Sequence, residues 1–402
     1  MHSTLNSKFF KTNRERLMWA LPDSLILIPA HYNLQKSADE AFAFRQDSNF
    51  WYLTGINEPD LVLVIDSTSN KTTLLLPDQN DYQKEWDGSI DKTQLKSISG
   101  INEFDTLSEL KRYIKQAKAK KTNVCYLQSS PDRIEPYGFY ANPARKMLET
   151  EIKKYIKKPK DVRPDLARLR MIKQPEEIEA IKRAIKITGE TLNYLKNNLT
   201  KYSSESDIER QLTAGFYLNG ADGHAFEPIV ASGVNASTIH YCSNSSKLAK
   251  DKLVLLDVGA SSDMYASDIS RVWSISGEPS KRQKEVWNAC LEIQKYAFSL
   301  LKAGVLLRDY QTKVENFAQE IFKKHSFKSM IDKKFPHGIS HFLGIDTHDA
   351  GVYDEPLQPN SIITVEPGIY LPEEAIGVRV EDDVLITETG IKILSESIPR
   401  VL

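Results

Sequence analysis

The segment "FPHGISHFLGIDTHDAG", Phe335 to Gly351, holds His337, His341 and His348, three of the chain's eight histidines. Imidazoles at this density, beside Gly338, Gly344 and Asp346, suit metal ligation or proton transfer. Carboxylates also stand in unusual places. In "KLVLLDVGASSDMYASDISRVW", Asp257 directly follows the apolar run Leu253 to Leu256, and Asp268 comes later in the same segment. That spacing leaves room for a turn around Ser261 to Asp263 and a return strand, so a hairpin would bring both aspartates to one point. "TVEPGIY" sets Glu366 among apolar residues. In "GVRVEDDVLIT" a period-two alternation sends Val378 and Val380 to one strand face and Arg379 and Glu381 to the other.

Taken alone, each has a plain structural reading: a strand-ending turn residue for Asp257, solvent exposure for Arg379 and Glu381. Taken together they ask for more. Two aspartates, two glutamates and at least one histidine beside strongly apolar strands would bury several negative charges unless cations neutralise them. A donor set of carboxylate oxygens with one imidazole suits Mn2+, with Zn2+, Co2+ or Fe2+ as alternatives. Bridging carboxylates can hold two such ions about 3.5 to 4 Å apart, the arrangement that activates a water and stabilises the oxyanion of an attacked carbonyl. The residue chemistry alone also allows a dinuclear phosphoesterase.

The elements that must position these groups fall into two parts. Through about residue 160, short apolar runs ("SLILIP", "LVLVID", "TTLLLP", "NVCYL") alternate with polar or helical segments, the pattern of an α/β domain. The lysine-rich "EIKKYIKKPKDVRP", Glu151 to Pro164, reads as a solvated helix tail leading into a linker. Pro175 and two following glutamates open a long helix. "SESDIERQL" announces another, with Ser206 and Glu209 as a capping box. Two further helical patterns, "SKRQKEVWNACLEIQKYAFSLLKAG" and "RDYQTKVENFAQEIFKKH", precede a return to strands. We expect two domains, 1–165 and 166–402, as suits 402 residues.

Composition narrows the function class. Lys+Arg 53 against Asp+Glu 54 leaves a formal net charge of -1. No global basic field exists to hold nucleic acid or an anionic membrane. No apolar run approaches the roughly 18 residues that span a bilayer, and the N-terminus lacks a signal-peptide apolar core. Cys125, Cys242 and Cys290 are isolated, with no CxxC pair, which suits a reducing interior. The expectation is a cytoplasmic protein.

In this order and spacing, "LLDVGASSDMYASDISR", "HGISHFLGIDTHDAG", "TVEPGIY" and "VRVEDD" resemble the five-ligand signature of the pita-bread metallopeptidases. This creatinase/aminopeptidase-like superfamily includes aminopeptidase P, prolidase, methionine aminopeptidase and the metal-free creatinase. The resemblance implies an α/β N-terminal domain followed by an α+β pita-bread catalytic domain. It implies two divalent ions, with Asp257 a terminal ligand of the first and His341 and Glu366 completing the second. Asp268 and Glu381 would bridge them. Glu366 would also shuttle a proton from the bridging hydroxide's parent water to the leaving amine. His348 would face the substrate carbonyl, His337 would line the pocket, and His240, in "VNASTIHY", would close over the substrate. Gly338 and Gly344 would let the backbone pass close to the metals. Arg379 would sit by the catalytic glutamate with a fork able to bind a carboxylate or carbonyl, and Tyr370 would line the cleft unless it is simply core. His2, His31, His224 and His325 match no motif residue.

The stretch "KSADEAFAFRQDSNFWYLTGINEPDLVLVI", Lys36 to Ile65, resembles the N-terminal domain of aminopeptidase P, which methionine aminopeptidase lacks. The implied reaction is hydrolysis of the bond between an N-terminal residue and a following proline, on peptides with proline in second position. "EPIVASG", Glu227 to Gly233, would help form the pocket for the proline ring. Asp39 would reach toward Arg379, and Trp86, in "QKEWDG", would enter a neighbouring subunit's cleft in a homodimer or homotetramer. Capped-turn and surface roles are the alternatives for Asp39 and Trp86, and "NFWY" reads as core. Prolidase, an Xaa-Pro dipeptidase, is the nearest rival. Non-catalytic pita-bread binding proteins are a more distant one, because they have typically lost ligands that are all present here. The short "LPEEAI" between Tyr370 and Gly377 departs from several aminopeptidase P relatives at the cleft rim.

Overall fold

Four apolar runs of the N-terminal part form neighbouring strands of one mixed sheet. Ser24–Pro29 pairs antiparallel with Val62–Asp66 and parallel with Asn123–Tyr126, and Lys71–Leu76 adds to Val62–Asp66. Glu103–Thr106 and Lys160–Asp161 close the two edges of this six-stranded sheet. The computed structural model describes residues 5–129, 138 and 140–402, which leaves His2 outside the described residues. The chain divides into two units, Met1–Leu169 and Arg170–Leu402.

The first unit corrects one reading. The lysine-rich run is not simply a helix tail and linker: helix Ala144–Lys153 ends early, and Lys160–Asp161 adds an edge strand. An edge tolerates this, because charged side chains there keep facing water. "NFWY" is core as expected, with Phe50, Trp51 and Tyr52 all buried in helix Ser48–Thr54. The preceding Gln46 and Asp47 are structural too. Gln46 Oε1 accepts from the backbone N–H groups of His31 and Asp47, both at 2.9 Å. Asp47 caps the helix through Asn49 N–H at 2.9 Å and pairs with Arg145 Nε at 2.9 Å.

The second unit is α+β. Helix Pro175–Asn197 starts on a Gln174/Glu177 capping box with Pro175 in its first turn. Helix Glu205–Leu218 is capped by Ser204 with Asp207, two residues earlier than the Ser206/Glu209 pair suggested by the sequence. Both pairs have the same spacing; Ser204 also makes a strand-like bridge to Lys247, while the Ser206 hydroxyl donates to Asn244 O at 2.6 Å. Strands Ile229–Ser232, Leu253–Val258 and Ile269–Ser274 form one antiparallel sheet; Ile362–Val365, Asp382–Ile386 and Ile391–Ile393 form another. Gly368–Leu371 and Ile376–Arg379 form a hairpin. Helices Lys281–Leu300 and Leu307–Lys324 cover this layer with stripes at three- and four-residue spacing: Val286, Cys290, Ile293 and Ala297 on one, Tyr310, Val314, Ala318 and Ile321 on the other. Each large apolar side chain so buried contributes roughly 1.5 to 3 kcal/mol.

A buried ion cluster pins the histidine-rich loop to the start of this unit. Lys173 Nζ donates to Asp349 Oδ2 at 2.8 Å and to Arg170 O at 2.7 Å, and Arg170 pairs with Asp349 and, at 3.0 Å, with Asp346. Burial alone would raise the Asp349 carboxyl, but Arg170 and Lys173 hold it below the usual carboxylate range. Its stabilising effect is therefore fully present above the ordinary value of 3.8 and fades as pH falls through the folded value. Asp349→Asn leaves two buried cations short of a partner, and we expect a loss of about 3 to 5 kcal/mol in urea unfolding at neutral pH. The difference from wild type should shrink in titrations carried well below pH 3.8.

Candidate metal centre

Every expected acidic residue sits where a strand ends. Asp257 lies opposite both Ile229 and Ser270 near the end of Leu253–Val258, and Asp268 immediately precedes the return strand Ile269–Ser274. The expected hairpin forms, with its reversal at Asp263 and Met264, both at positive φ. Segment 339–343 is laced to Ile362–Val365 by Thr364 N–H to His341 O and Leu343 N–H to Ile362 O, both at 3.0 Å. Glu366 N–H to Ile339 O, also 3.0 Å, continues that lacing and puts Glu366 beside His341. Glu381 joins the two aspartates through its N–H to Ser270 O at 3.2 Å.

Asp268, His341 and Glu381 are buried and can each present one ligand atom within 4.8 Å of the others. His341 Nε2 lies 3.3 Å from Glu366 Oε1 and 3.4 Å from Asp268 Oδ2. Its Nδ1 is 3.0 Å from Phe342 O, so an N–H donated there leaves the Nε2 lone pair aimed at the carboxylates, the tautomer of a ligating imidazole. Burial pushes the carboxyls of Asp268 and Glu381 well up, and neighbouring carboxylates push them further. Glu366 is raised to about 8, by burial first, with Arg379 opposing and Asp257 adding to the rise. Oδ1 of Asp257 and Oε1 of Glu381 are buried without a hydrogen-bond partner among the described residues. Unpartnered oxygens and mutually repelling carboxylates around one imidazole nitrogen fit divalent cations.

Arg379 supplies a fixed positive charge here, but its fork is taken. Nη2 donates to Asp257 Oδ2 at 2.5 Å, Nε to Ser270 Oγ at 3.0 Å and Nη1 to Tyr370 Oη at 2.8 Å. It is a clamp inside the wall and is not open to receive a substrate carboxylate. Ser270 Oγ in turn donates to Glu381 Oε2 at 2.8 Å. Tyr370 is buried and makes a 2.8 Å hydrogen bond to His337 Nε2, while His337 Nδ1 faces Gly338 O at 2.8 Å. Burial, aided by Arg379, pushes His337 down to about 4, so this ring is neutral at pH 7.

The remaining expected residues have these places. His348 is exposed, with its ring 4.3 Å from that of His341. His240 is exposed on a loop within electrostatic reach of His337. Asp39 lies exposed in the turn between Gln35–Ser37 and Glu40–Ala41, and Trp86 is 70% exposed in helix Asp81–Asp87. Strand Ile229–Ser232 is buried throughout, with Ile229 and Ala231 in the core. His31 stands 3.5 Å from Asp47, His224 bonds Thr213 at 2.9 Å and His325 bonds Glu285 at 2.8 Å. Gly338 needs no special closeness, since a Cβ there would make only ordinary contact with Ser340. Gly344 does need it, but for a different neighbour: a Cβ would collide with Asp349 and Lys173, not with the ligand cluster.

Arg379 and Glu381 are both buried, so the alternating strand has no solvent face. Sequence reasoning missed Asp382 and Asp383, which are fully buried as well. Asp382 accepts from Arg271, Gln294, Ser395 and Arg400, and Asp383 Oδ2 accepts from Asp268 N–H at 3.2 Å. The signal was available in three consecutive acids, "EDD", inside an otherwise apolar strand.

A family model described as metallopeptidase family M24 matches residues 179–388, and one for the N-terminal domain of aminopeptidase P matches residues 10–126. The chain is 32% identical to Xaa-Pro aminopeptidase 3 of Homo sapiens, over 94% of this chain and 79% of that protein. It is 31% identical to the Xaa-Pro aminopeptidase of Haemophilus influenzae, over 97% and 94%. A solved structure of Escherichia coli aminopeptidase P in complex with substrate superposes with a TM-score of 0.83 at 26% identity, covering 99% of this chain and 97% of that one.

Cation binding provides a direct check. Mn2+ at about 100 times its Kd should stabilise the folded chain by about 2.7 kcal/mol, read as a rise in Tm. Asp268→Asn should abolish the rise. Ser270→Ala, which leaves the ligands in place but removes the link between Arg379 and Glu381, should weaken binding by about 10- to 100-fold in calorimetric titration.

Proposed function

The chain belongs to metallopeptidase family M24 of the pita-bread superfamily, with an aminopeptidase P N-terminal domain, and we propose that it releases the N-terminal residue from peptides whose second residue is proline. The observation that carries this reading is the buried carboxylate and imidazole cluster in a chain whose near full-length relatives are Xaa-Pro aminopeptidases. It is a metallo-aminopeptidase.

Asp257, Asp268, His341, Glu366 and Glu381 would hold two divalent ions, with Mn2+ best suited to the donor set. When bound, they supply Lewis-acid polarisation of the scissile carbonyl and a water ready to attack at neutral pH. The chain's own side chains do the rest. Glu366, next to His341 and 3.5 Å from His337 Nδ1, takes the proton of the attacking water and hands it to the proline nitrogen. That transfer matters because this nitrogen is tertiary and leaves poorly as an anion. His348 and His240, exposed on two separate loops, contact the substrate carbonyl and backbone. His337 lines the site in one fixed orientation, with its neutral ring engaged at both nitrogens. Tyr370 holds His337 and Arg379 together, and Arg379 keeps Asp257 aimed. The end of strand Ile229–Ser232 would border the proline ring.

Asp39 remains a cleft-rim candidate. Trp86, beside Tyr82 at 5.6 Å between ring centroids, offers an exposed aromatic pair suited to a subunit contact in a homodimer or homotetramer. No described helix is long and apolar enough to cross a membrane. The three unpaired cysteines agree with a cytoplasmic setting.

The test compares an Xaa-Pro-Yaa peptide with an Xaa-Pro dipeptide on the Mn2+-loaded protein. The longer peptide should be cut faster, a chelator should stop the reaction, and Glu366→Gln should lower kcat by about 10²- to 10⁴-fold. Cleavage of the dipeptide alone would replace this reading with prolidase. Sedimentation velocity should show an oligomer that Trp86→Ala weakens.

A further inference from the structure

Glu205 is fully buried (0% exposed) in the first turn of helix Glu205–Leu218, and among the described residues no cation is a hydrogen-bond partner of it. Its Oε1 accepts from Ser232 N–H and Ser232 Oγ, both at 2.7 Å, and from Asn235 Nδ2 at 3.0 Å. Its Oε2 accepts from Tyr241 Oη at 2.9 Å and Ser246 N–H at 2.8 Å. All five donors come from one segment, 232–246, which connects Ile229–Ser232 to Leu253–Val258. His240 is on that segment, next to Tyr241.

The same helix start grips the segment's far end twice more: Glu205 N–H donates to Ser246 O at 2.9 Å and Ser206 Oγ to Asn244 O at 2.6 Å. On the opposite side, strand Ile376–Arg379 meets the turn Gly233–Ser237 so closely that a Cβ at Gly377 would collide with Ala236. The segment is thus seated on the strand that carries Arg379 and stapled from behind by one carboxylate. A carboxylate offers four acceptor sites and demands no donor, whereas a glutamine amide would turn its NH2 on two of these donors.

We propose that Glu205 is a positioning residue for the peptidase reaction, acting through His240 by fixing segment 232–246. This rests on the Xaa-Pro aminopeptidase reading, and the test separates the two. The full-length, Mn2+-loaded protein is assayed as wild type, Glu205→Gln, His240→Ala and the double variant. Glu205→Gln should lower kcat/KM on an Xaa-Pro-Yaa peptide by about 10- to 100-fold, the cost of a small misplacement, and leave Mn2+ affinity unchanged. In the His240→Ala background the same change should have almost no further effect. Hydrogen exchange over 232–246 should quicken by about tenfold or more in Glu205→Gln, with 362–365 unaltered, an outcome that does not depend on which substrate is cut. Tyr241→Phe, which removes one of the five donors, serves if Glu205→Gln does not fold: its smaller loss should likewise vanish beside His240→Ala. Losses that multiply in the double variants, or unchanged exchange, would overturn the proposal. An inactive wild type would overturn the peptidase reading and with it the role in that reaction, while quickened exchange would still show that Glu205 fixes segment 232–246.

Discussion

The structure of the second unit depends on keeping a cluster of carboxylates together inside an apolar sheet. Asp268, Glu381 and Asp383 are buried, and Asp257 and Glu366 stand at the edge of the same cluster. Like charges at such distances in a poorly hydrated site repel strongly. Bringing them there requires geometry fixed by other means. Strand ends provide it, because each of these acids except Asp383 sits at or beside the point where a ladder stops and a side chain can turn from sheet to cleft. Behind them the two long helices supply the apolar burial that offsets the electrostatic cost.

Two arginines divide the compensation between front and back. Arg379 faces the cluster through Asp257 and, by way of Ser270, Glu381. Arg271 works behind it, donating to Glu381 O at 2.5 Å and to Asp382 Oδ1 at 2.9 Å, and it ties in Ile398 O and Pro399 O. Glu381 is thus held at its backbone by one cation and at its side chain, through Ser270, by another. Both are guanidinium groups, whose fixed fork can satisfy several acceptors at once. The histidine-rich loop is held by a third set, Arg170 and Lys173 on Asp349, one residue beyond His348.

Much of this was legible in the sequence, and the exceptions share a cause. The Asp257 to Asp268 hairpin, the strands of the first unit and the helices after Pro175 follow from period and punctuation, which are local. Asp382 and Asp383, the occupied fork of Arg379 and the neighbour that Gly344 accommodates are set by residues as far away as Ser395, Asp257 and Lys173. Taken alone, period-two alternation implies one wet face and one dry face, but both faces of "VRVEDDV" are dry. A strand between two packed layers keeps the alternation and loses the solvent, and only the consecutive acids betray it. The Ser204 cap shows the same limit at small scale: two pairs share one local spacing, and the Ser206 hydroxyl is taken up by Asn244 O, 38 residues away.

The raised carboxyls also connect cation binding to folding. Glu366 changes from an ordinary 4.5 to about 8 in the folded chain, so across that window the folded state holds a proton that the unfolded state has released. The sign follows: without cations, the contribution of this group to stability is largest below pH 4.5 and is lost as pH rises through about 8. Cations held by Glu366, as proposed, would reverse the preference, because they would bind the ionised form and displace the proton. A site that is awkward to fold empty at neutral pH is for the same reason one that gains from being filled. The neutral groups that aim the ligands, such as Ser270 and Thr364, carry no charge through that exchange, so the geometry they set for Glu381 and Glu366 is available to both forms.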